Sequence, residues 1–158
     1  MSILGKIFKT RKPHQEKTQW WDRTALDETG AVYRLAVGGR GIGKTYSVCK
    51  TILTDYLTEG KRGAYIRRYE EEITPKNIAA LFNPHRDLII ELSDGKYNDI
   101  SYRAKEWHLC FTDDEGKIVE KDPTAFCIAA AINTWMTTKG QDRGEVNTIL
   151  FDEFLIRE

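Results

Sequence analysis

Cysteine is scarce in this chain, and metal-binding side chains are not clustered. Cys49, Cys110 and Cys127 are the only cysteines in 158 residues, no two of them form a C-x-x-C pair, and the three histidines are isolated. A disulfide framework or a zinc site needs closely spaced cysteines or grouped histidines. The sequence therefore indicates neither, and it is typical of a protein from a reducing cytoplasm.

Net charge and long apolar stretches are missing as well. The chain has 24 basic and 24 acidic residues, so its formal net charge is zero. No overall electrostatic field marks nucleic acid or a membrane as a partner, and any contact with a polymer must be local. No apolar run has the length of a membrane span, and the apolar part of the N-terminus is too short for a secretion signal. We expect a soluble intracellular protein with one main domain, because this length buries one core.

The most informative segment that the sequence does contain is rich in glycine. Residues 38–45 read GGRGIGKT, a complete G-x-x-x-x-G-K-[ST] pattern. Such a loop binds phosphates through backbone N–H groups and a helix N-terminus, while its lysine reaches the β- and γ-phosphates and its hydroxyl residue faces Mg²⁺. The alternative is a glycine-rich turn that only begins a helix. We assign nucleotide contacts to Gly38, Gly39, Arg40, Gly41, Ile42, Gly43, Lys44, Thr45 and Tyr46, and a Mg²⁺ contact to Thr45.

The segments on either side of this loop have the order that a phosphate loop needs. Upstream, the apolar residues of 31–37 predict a short strand. Downstream, apolar residues recur at helical spacing from Val48 to Leu57, and Gly60 marks the end of the helix. The sequence therefore predicts a strand, a glycine turn and a helix.

An acidic pair supplies the second half of the predicted site. Residues 146–153 read VNTILFDE, an apolar run that ends in Asp152 and Glu153. A parallel strand buried on both faces has such a run, and its carboxyl end lies at the edge of the sheet where a phosphate loop also lies. We expect Asp152 to hold Mg²⁺ and Glu153 to polarise an attacking water, which favours hydrolysis over transfer to another acceptor. The alternative is a strand that happens to end in two acids before a turn.

Rival classes of nucleotide-binding protein fit the sequence less well. The N-K-x-D element with which GTPases recognise guanine is absent from the sequence. A D-x-x-G string does occur at 113–116, but it lies between two strand-like stretches and is typical of a hairpin turn. Small-molecule kinases are disfavoured by Glu153 and by the lack of an arginine cluster beyond the loop. The nucleotide that we expect is therefore ATP.

The N-terminal part of the chain precedes the predicted domain. Residues 1–19 are basic and polar with little periodicity, and we expect a flexible arm that contacts DNA or nothing. Trp20 and Trp21 either pack on the sheet and fasten this arm, or stack on adenine. We assign 20–158 to one ATP-binding domain.

The remaining segments complete an α/β prediction with a mostly parallel sheet, flanking helices and an antiparallel hairpin insertion. The predicted segments are a strand at 62–69, a helix that begins at Thr74 and Pro75 and ends at Phe82, a strand at 88–92, an antiparallel insertion at 96–128, an apolar run at 125–132 and a mobile loop at 137–145.

Several of these motifs together resemble the DNA-packaging ATPases of φ29-like tailed phages. The resemblance rests on GGRGIGKT, on RRY after the second strand, on a tryptophan before a polar loop, and on TILFDEFLIRE near the end. It covers most of 31–158 and is loose in the middle. It implies an ATPase of the additional-strand, catalytic-glutamate (ASCE) type that forms a homo-oligomeric ring at the portal, or connector, of a prohead. Such a ring pumps double-stranded DNA into the prohead in the host cytoplasm, in some relatives with a structural RNA.

The resemblance also implies roles for individual residues. It assigns Lys44 and Thr45 to phosphate and Mg²⁺, Asp152 to Mg²⁺, and Glu153 to the attacking water. Arg40, four positions before the loop lysine, would clamp the γ-phosphate or signal its loss, unless it is simply solvated. For Arg67 and Arg68 three alternatives stay open: DNA, the nucleotide of a neighbouring subunit, or solvent.

The family fold continues beyond Glu153, with further strands, a trans-acting arginine and a C-terminal nucleic-acid-binding domain. One of those strands lies between the phosphate-loop strand and the strand that carries the acidic pair. We therefore expect this chain to be part of a longer motor protein, with weak hydrolysis on its own. Two alternatives stay open: a nucleotide-dependent switch or partitioning-type module that moves no DNA, and a helicase-like relative of the same class.

Overall fold

The structure, a computed structural model, describes residues 21, 23–37, 41–135 and 145–152. Its helices are α1 (Thr24–Asp27), α2 (Lys44–Glu59), α3 (Pro75–Ile78), α4 (Arg86–Leu92) and α5 (Ile132–Trp135), with 3₁₀ turns at Glu70–Glu72 and Asn83–His85. Its strands are β1 (Gly63–Arg67), β2 (Asp99–Arg103), β3 (Glu106–Thr112), β4 (Ile118–Lys121), β5 (Cys127–Ala131) and β6 (Thr148–Phe151). The predicted arm at 1–19 and most of the predicted mobile loop lie outside the described residues.

One sheet organises the domain, and it has a parallel half and an antiparallel half. The strand order is β2-β3-β5-β1-β6, and β4 pairs with β3 beside this path. β1 is parallel to both β5 and β6, whereas β3 is antiparallel to β2, β4 and β5. The described sheet is thus mixed rather than mostly parallel. The antiparallel insertion is confirmed, and the string at 113–116 is the turn between β3 and β4, with Gly116 N donating to Asp113 O at 2.9 Å.

Helix α2 begins at the phosphate-loop sequence and confirms the predicted helix. Gly43 precedes it in a left-handed conformation (φ 90°), and Gly60 ends it in the same way (φ 69°). A side chain with a Cβ is disfavoured in this conformation, so glycine suits both positions. The helix buries Cys49, Ile52 and Leu53 against the sheet.

The main core lies on the face of the sheet that α2, α3 and α4 cover. Trp107 of β3 is fully buried at its centre, with Phe82 edge-on at 5.2 Å between ring centroids and Tyr65 edge-on at 6.1 Å. Such edge-to-face pairs add to the free energy that burial of the rings supplies. The opposite face has a smaller cluster of Ala64, Ala125 and Ile128, with Ile66 and Val146 against it. The three cysteines are buried and free.

The predicted strand at 31–37 is wrong. No strand is formed there, and the segment is mostly exposed; Val32, for example, is 89% accessible to solvent. Strand propensity alone does not hold an extended segment, because its backbone groups need a neighbouring strand to pair with. Among the described strands, none pairs with this segment.

The predicted strand at 88–92 is also wrong, because Arg86–Leu92 is the helix α4. A short apolar run does not distinguish a strand from a buried turn of helix. Within α4 Ile89 is buried, Leu88 and Leu92 are partly buried, and Ile90 and Glu91 are exposed. The less exposed side chains thus recur at the three- to four-residue spacing of a helix. The helix predicted from Thr74 through Phe82 is shorter than expected, since α3 ends at Ile78 and turns follow.

No helix among the described residues is long and apolar enough to cross a membrane.

Candidate functional site

The candidate site lies where the carboxyl ends of β1 and β6 meet the N-terminus of α2. Asp152 directly follows β6, and its backbone N–H donates to Ile66 O of β1 at 3.1 Å. Thr45, in the first turn of α2, points its hydroxyl at Asp152, with Oγ1 3.5 Å from Oδ1. The fold thus joins the two predicted Mg²⁺ contacts across more than a hundred residues of sequence.

Two glycines in the described part of the predicted phosphate loop adopt left-handed backbone conformations. Gly41 (φ 77°) and Gly43 (φ 90°) are both left-handed. Gly43, the N-cap residue of α2, has no side chain that could cap the helix, and the first backbone N–H groups of a helix need a partner from outside the helix. A 16-residue helix also concentrates partial positive charge at this end. Gly38, Gly39 and Arg40 lie outside the described residues, so their predicted contacts stay predictions.

Residues next to the loop fasten it to the domain. The backbone N–H of Trp21 donates to Ile42 O at 2.8 Å, which brings the segment before α1 against the loop. The Tyr46 ring lies 4.2 Å from the ring of His85, centroid to centroid. The backbone of Trp21 therefore lies beside the loop, while packing of the two tryptophans on the sheet, fastening of the arm and stacking on adenine all stay predictions.

Asp152 is surrounded on its other side by two residues of β1. The hydroxyl of Tyr65 donates to Asp152 Oδ2 at 3.3 Å, and Arg67 Nη1 lies 3.6 Å from the same oxygen. Burial, and after it the charge of Asp152, raise the pKa of the Tyr65 phenol well above its ordinary value. The phenol therefore stays protonated and remains a donor.

Arg67 points into the domain, which corrects the alternatives that placed it in solvent, toward DNA or toward the nucleotide of a neighbouring subunit. Its side chain is only 14% exposed, and its Nη2 lies 2.9 Å from Glu72 Oε1. Its Nη1 also donates to the Tyr65 hydroxyl at 3.3 Å. The hydrogen bond from Arg67 lowers the pKa of the Glu72 carboxyl. The orientation of Arg67 depends on the pairing of two strands. Ile66 of β1 pairs with Phe151 of β6, so the residues that follow them, Arg67 and Asp152, lie side by side.

Sequence reasoning missed Tyr65 and the inward orientation of Arg67. A signal was present, because side chains two apart on a strand share a face. Tyr65 and Arg67 are such a pair at the end of a strand, and aligning β1 with β6 would have placed them beside Asp152. Their partner is distant in sequence, however, and no local pattern shows it.

The donor set suits Mg²⁺ bound together with phosphates. Mg²⁺ in nucleotide sites uses one or two protein oxygens and completes its shell with water and phosphate oxygens. Thr45 and Asp152 supply one hydroxyl and one carboxylate. Among the described residues no group of three or more histidine, cysteine or acidic side chains could hold a metal ion. Glu153 lies outside the described residues, and its role stays a prediction.

Curated relatives are phage DNA packaging proteins. The DNA packaging protein of Bacillus phage B103 is 28% identical over 124 residues, which are 78% of this chain and 32% of that protein. The DNA packaging protein of Bacillus phage phi29 is 24% identical over 140 residues, 89% of this chain and 36% of the relative. The chain thus spans about a third of the length of these relatives.

Two solved structures have the same fold. The N-terminal domain of the DNA packaging ATPase from bacteriophage phi29 superposes with a TM-score of 0.65 at 22% identity, over 88% of this chain and 61% of that chain. The Phi-28 gp11 DNA packaging motor gives a TM-score of 0.60 at 22% identity, over 89% of this chain and 40% of that one. The mixed α/β fold of this chain is therefore similar to that of the phi29 ATPase domain.

The family assignment covers nearly the whole chain. A sequence profile of the podovirus DNA encapsidation proteins (Gp16) matches residues 16–158, which include the phosphate loop, the described sheet and the acidic pair. This chain belongs to the podovirus DNA encapsidation protein (Gp16) family.

Proposed function

We propose that this chain is the ATP-hydrolysing part of a motor that packages double-stranded viral DNA into a prohead. The observation that carries the proposal is the approach of Thr45 Oγ1 to Asp152 Oδ1 at 3.5 Å, at the N-terminus of α2. A glycine turn that merely begins a helix does not need a carboxylate from a distant strand in front of its hydroxyl residue. The arrangement supports a P-loop site of the ASCE type within the proposed domain 20–158; the arm proposed at 1–19 lies outside the described residues.

In this proposal the chain's own residues bind and orient ATP. The N-terminal N–H groups of α2 and the Lys44 ammonium bind the phosphates, and Arg40 clamps the terminal one. Thr45 and Asp152 hold Mg²⁺, which offsets the negative charge of the phosphate oxygens. Glu153, one residue beyond Asp152, orients the attacking water and takes its proton.

The partners proposed for the complete protein follow from the family. They are double-stranded DNA, the portal or connector of the prohead, a structural RNA in some relatives, and other copies of the chain in a ring. Such a ring would hydrolyse ATP in the host cytoplasm, at the portal of the prohead. A trans-acting arginine from a neighbouring copy would raise the rate, so turnover by the separate chain is expected to be slow.

Binding of a fluorescent ATP analogue with Mg²⁺ tests the nucleotide site. Lys44→Ala removes a charge-assisted contact and is expected to weaken binding by roughly 10- to 100-fold. Lys50→Ala is the matched control, because Lys50 is an exposed lysine of the same helix and its loss should leave the affinity unchanged. Equal affinity in the wild type and Lys44→Ala would contradict the proposed site.

Turnover measurements test the reaction and the motor. Glu153→Gln should keep nucleotide binding but lower the ATP hydrolysis rate by roughly 100-fold or more, whereas the exposed Glu145→Gln should lower neither. Stimulation of hydrolysis by double-stranded DNA that falls with salt would support a motor, since phosphate contacts release counterions. Hydrolysis that DNA never affects, even in a longer chain, would support the nucleotide-dependent switch instead.

A further inference from the structure

The two carboxylate oxygens of Asp152 face different partners. Oδ1 faces the Thr45 hydroxyl at 3.5 Å. Oδ2 faces the Tyr65 hydroxyl at 3.3 Å and Arg67 Nη1 at 3.6 Å. One oxygen is thus directed to the phosphate-loop helix, and the other is held by β1.

The groups that face Oδ2 are themselves fixed. Tyr65 is only 3% exposed, and its ring lies edge-on to Trp107 in the core. Arg67 spans the Tyr65 hydroxyl at 3.3 Å and Glu72 Oε1 at 2.9 Å. Neither side chain can leave Asp152 without breaking contacts elsewhere in the domain.

The backbone of Asp152 is anchored to the same strand. Its N–H donates to Ile66 O, the carbonyl between the two side chains. The carboxylate is therefore held from the main chain and from Oδ2 at once, so rotation about its side-chain bonds is restricted. Replacing a group that hydrogen-bonds a metal ligand without touching the metal commonly lowers metal affinity by about 10- to 100-fold.

We propose that Tyr65 and Arg67 are positioning residues, which hold Asp152 Oδ2 so that Oδ1 is presented to a divalent cation shared with Thr45. This inference rests on the proposed function, because the cation is the one that accompanies the nucleotide. It assigns β1 a role in metal binding although neither residue touches the metal.

A competing role for Arg67 predicts the opposite sign. If the guanidinium were only a counter-ion, removing its positive charge would make the potential at Asp152 more negative, and the cation would bind more tightly. If it positions Asp152, removing it lets the carboxylate rotate, and the cation binds more weakly. The direction of the change therefore separates the two roles.

The test measures Mn²⁺ binding by electron paramagnetic resonance, on the chain saturated with ADP. We expect Tyr65→Phe and Arg67→Gln each to raise the Mn²⁺ dissociation constant by about tenfold. Affinity for fluorescent ADP in EDTA should stay unchanged, since neither residue is placed at the phosphates. Tyr65→Phe keeps the ring on Trp107, so its fold should be retained, and circular dichroism checks this.

Matched controls are available in the same sheet and on its rim. Tyr102→Phe removes a hydroxyl from the other tyrosine that packs on Trp107, at 4.7 Å between ring centroids, and should not change Mn²⁺ affinity. Arg86→Gln breaks the exposed ion pair with Asp99 (2.7 Å) and should likewise leave the Mn²⁺ affinity unchanged.

The outcomes separate this inference from the proposed function. If the wild type binds neither ADP nor Mn²⁺–ADP, both are wrong. If the wild type binds both ligands and the Tyr65 and Arg67 variants keep or increase Mn²⁺ affinity, only the positioning role is wrong. Weaker Mn²⁺ binding in both variants, with unchanged ADP binding in EDTA, supports it.

Discussion

Two isoleucines lie on opposite sides of Ala64 and have very different surroundings. In β5, Ile128 aligns with Ala64 and is 3% exposed; in β6, Ile149 aligns with the same residue and is 61% exposed. Both strands are parallel to β1, and both side chains point to the same face of the sheet. The difference is that β5 has β3 as its second neighbour, while β6 ends the described strand order.

This contrast shows that the candidate site lies at the less buried edge of the described sheet, the edge that β6 forms. All five residues of β5 are buried, whereas none of β6 is, and Asp152 directly follows β6. Elements that bind ligands or move commonly belong to the less stable parts of a domain. The core around Trp107 thus holds the fold, and β6 holds the carboxylate with fewer packing contacts.

The largest expected effect tests the contrast between the two isoleucines. Ile128→Ala should lower the free energy of unfolding by about 2 to 4 kcal/mol, because it leaves a cavity. Ile149→Ala should change it by about 0.5 kcal/mol or less, as is usual for an exposed side chain. Urea unfolding of both variants measures the difference. A cost above about 2 kcal/mol for Ile149→Ala would mean that this face is covered in solution, which would break the comparison.

An intermediate effect is expected at Gly63, where β1 pairs with both β5 and β6. A Cβ at Gly63 would lie 2.5 Å from Ile52 Cγ2, and Ile52 is fully buried in α2. Gly63→Ala should therefore cost about 2 kcal/mol in unfolding free energy. In a double-mutant cycle with Ile52→Ala, the combined cost should be less than the sum of the single costs. Additive costs in unfolding free energy would show that residue 63 of β1 and Ile52 of α2 do not interact.

The smallest expected effect is the pH dependence of stability that the buried His85 causes. Burial, and then the charge of Lys50, lower the pKa of His85 from 6.5 to about 4. The unfolded chain therefore takes up a proton near pH 6.5 that the folded chain takes up only near pH 4, so stability falls as pH drops through this window. From pH 7 to pH 5 the loss is about 1 to 2 kcal/mol.

The matched variant for this effect is His85→Gln, which cannot titrate. The measurement is the unfolding free energy at pH 7 and pH 5 for both chains, and the difference between their pH dependences isolates His85 from the carboxylates. Parallel pH profiles would show that the buried imidazole does not resist protonation. A larger loss in the wild type than in His85→Gln would show that the buried imidazole resists protonation in the folded chain.

Local signals predicted the elements whose conformation is determined locally. The glycines at 43 and 60 mark the two ends of α2 both in the sequence prediction and in the structure. The string at 113–116 is likewise a hairpin turn in both. The segment 31–37 has the same kind of strand-forming residues as β6 but no described partner strand. Its conformation depends on a neighbour, and the family expectation of a strand between this segment and β6 stays a prediction.

Part of the candidate site was also readable from the sequence. The pattern at 38–45 and the acidic end of β6 predicted that Thr45 and Asp152 would lie near one another, which the structure shows. The position of Arg67 was not predictable in this way, because it depends on the register between β1 and β6. An exposed arginine and a buried one look the same in a sequence until the strand pairing is known.

The close contact between α2 and β1 also limits how sequences of this kind can diverge. Ile52 lies so near Gly63 that, with any side chain at residue 63, the Ile52 side chain or the helix that carries it would have to shift. The same helix carries Thr45, so a shift of the helix would change the 3.5 Å distance from Thr45 to Asp152. A descendant chain that keeps this pair together is expected to keep glycine at position 63, although that residue is remote from the chemistry itself.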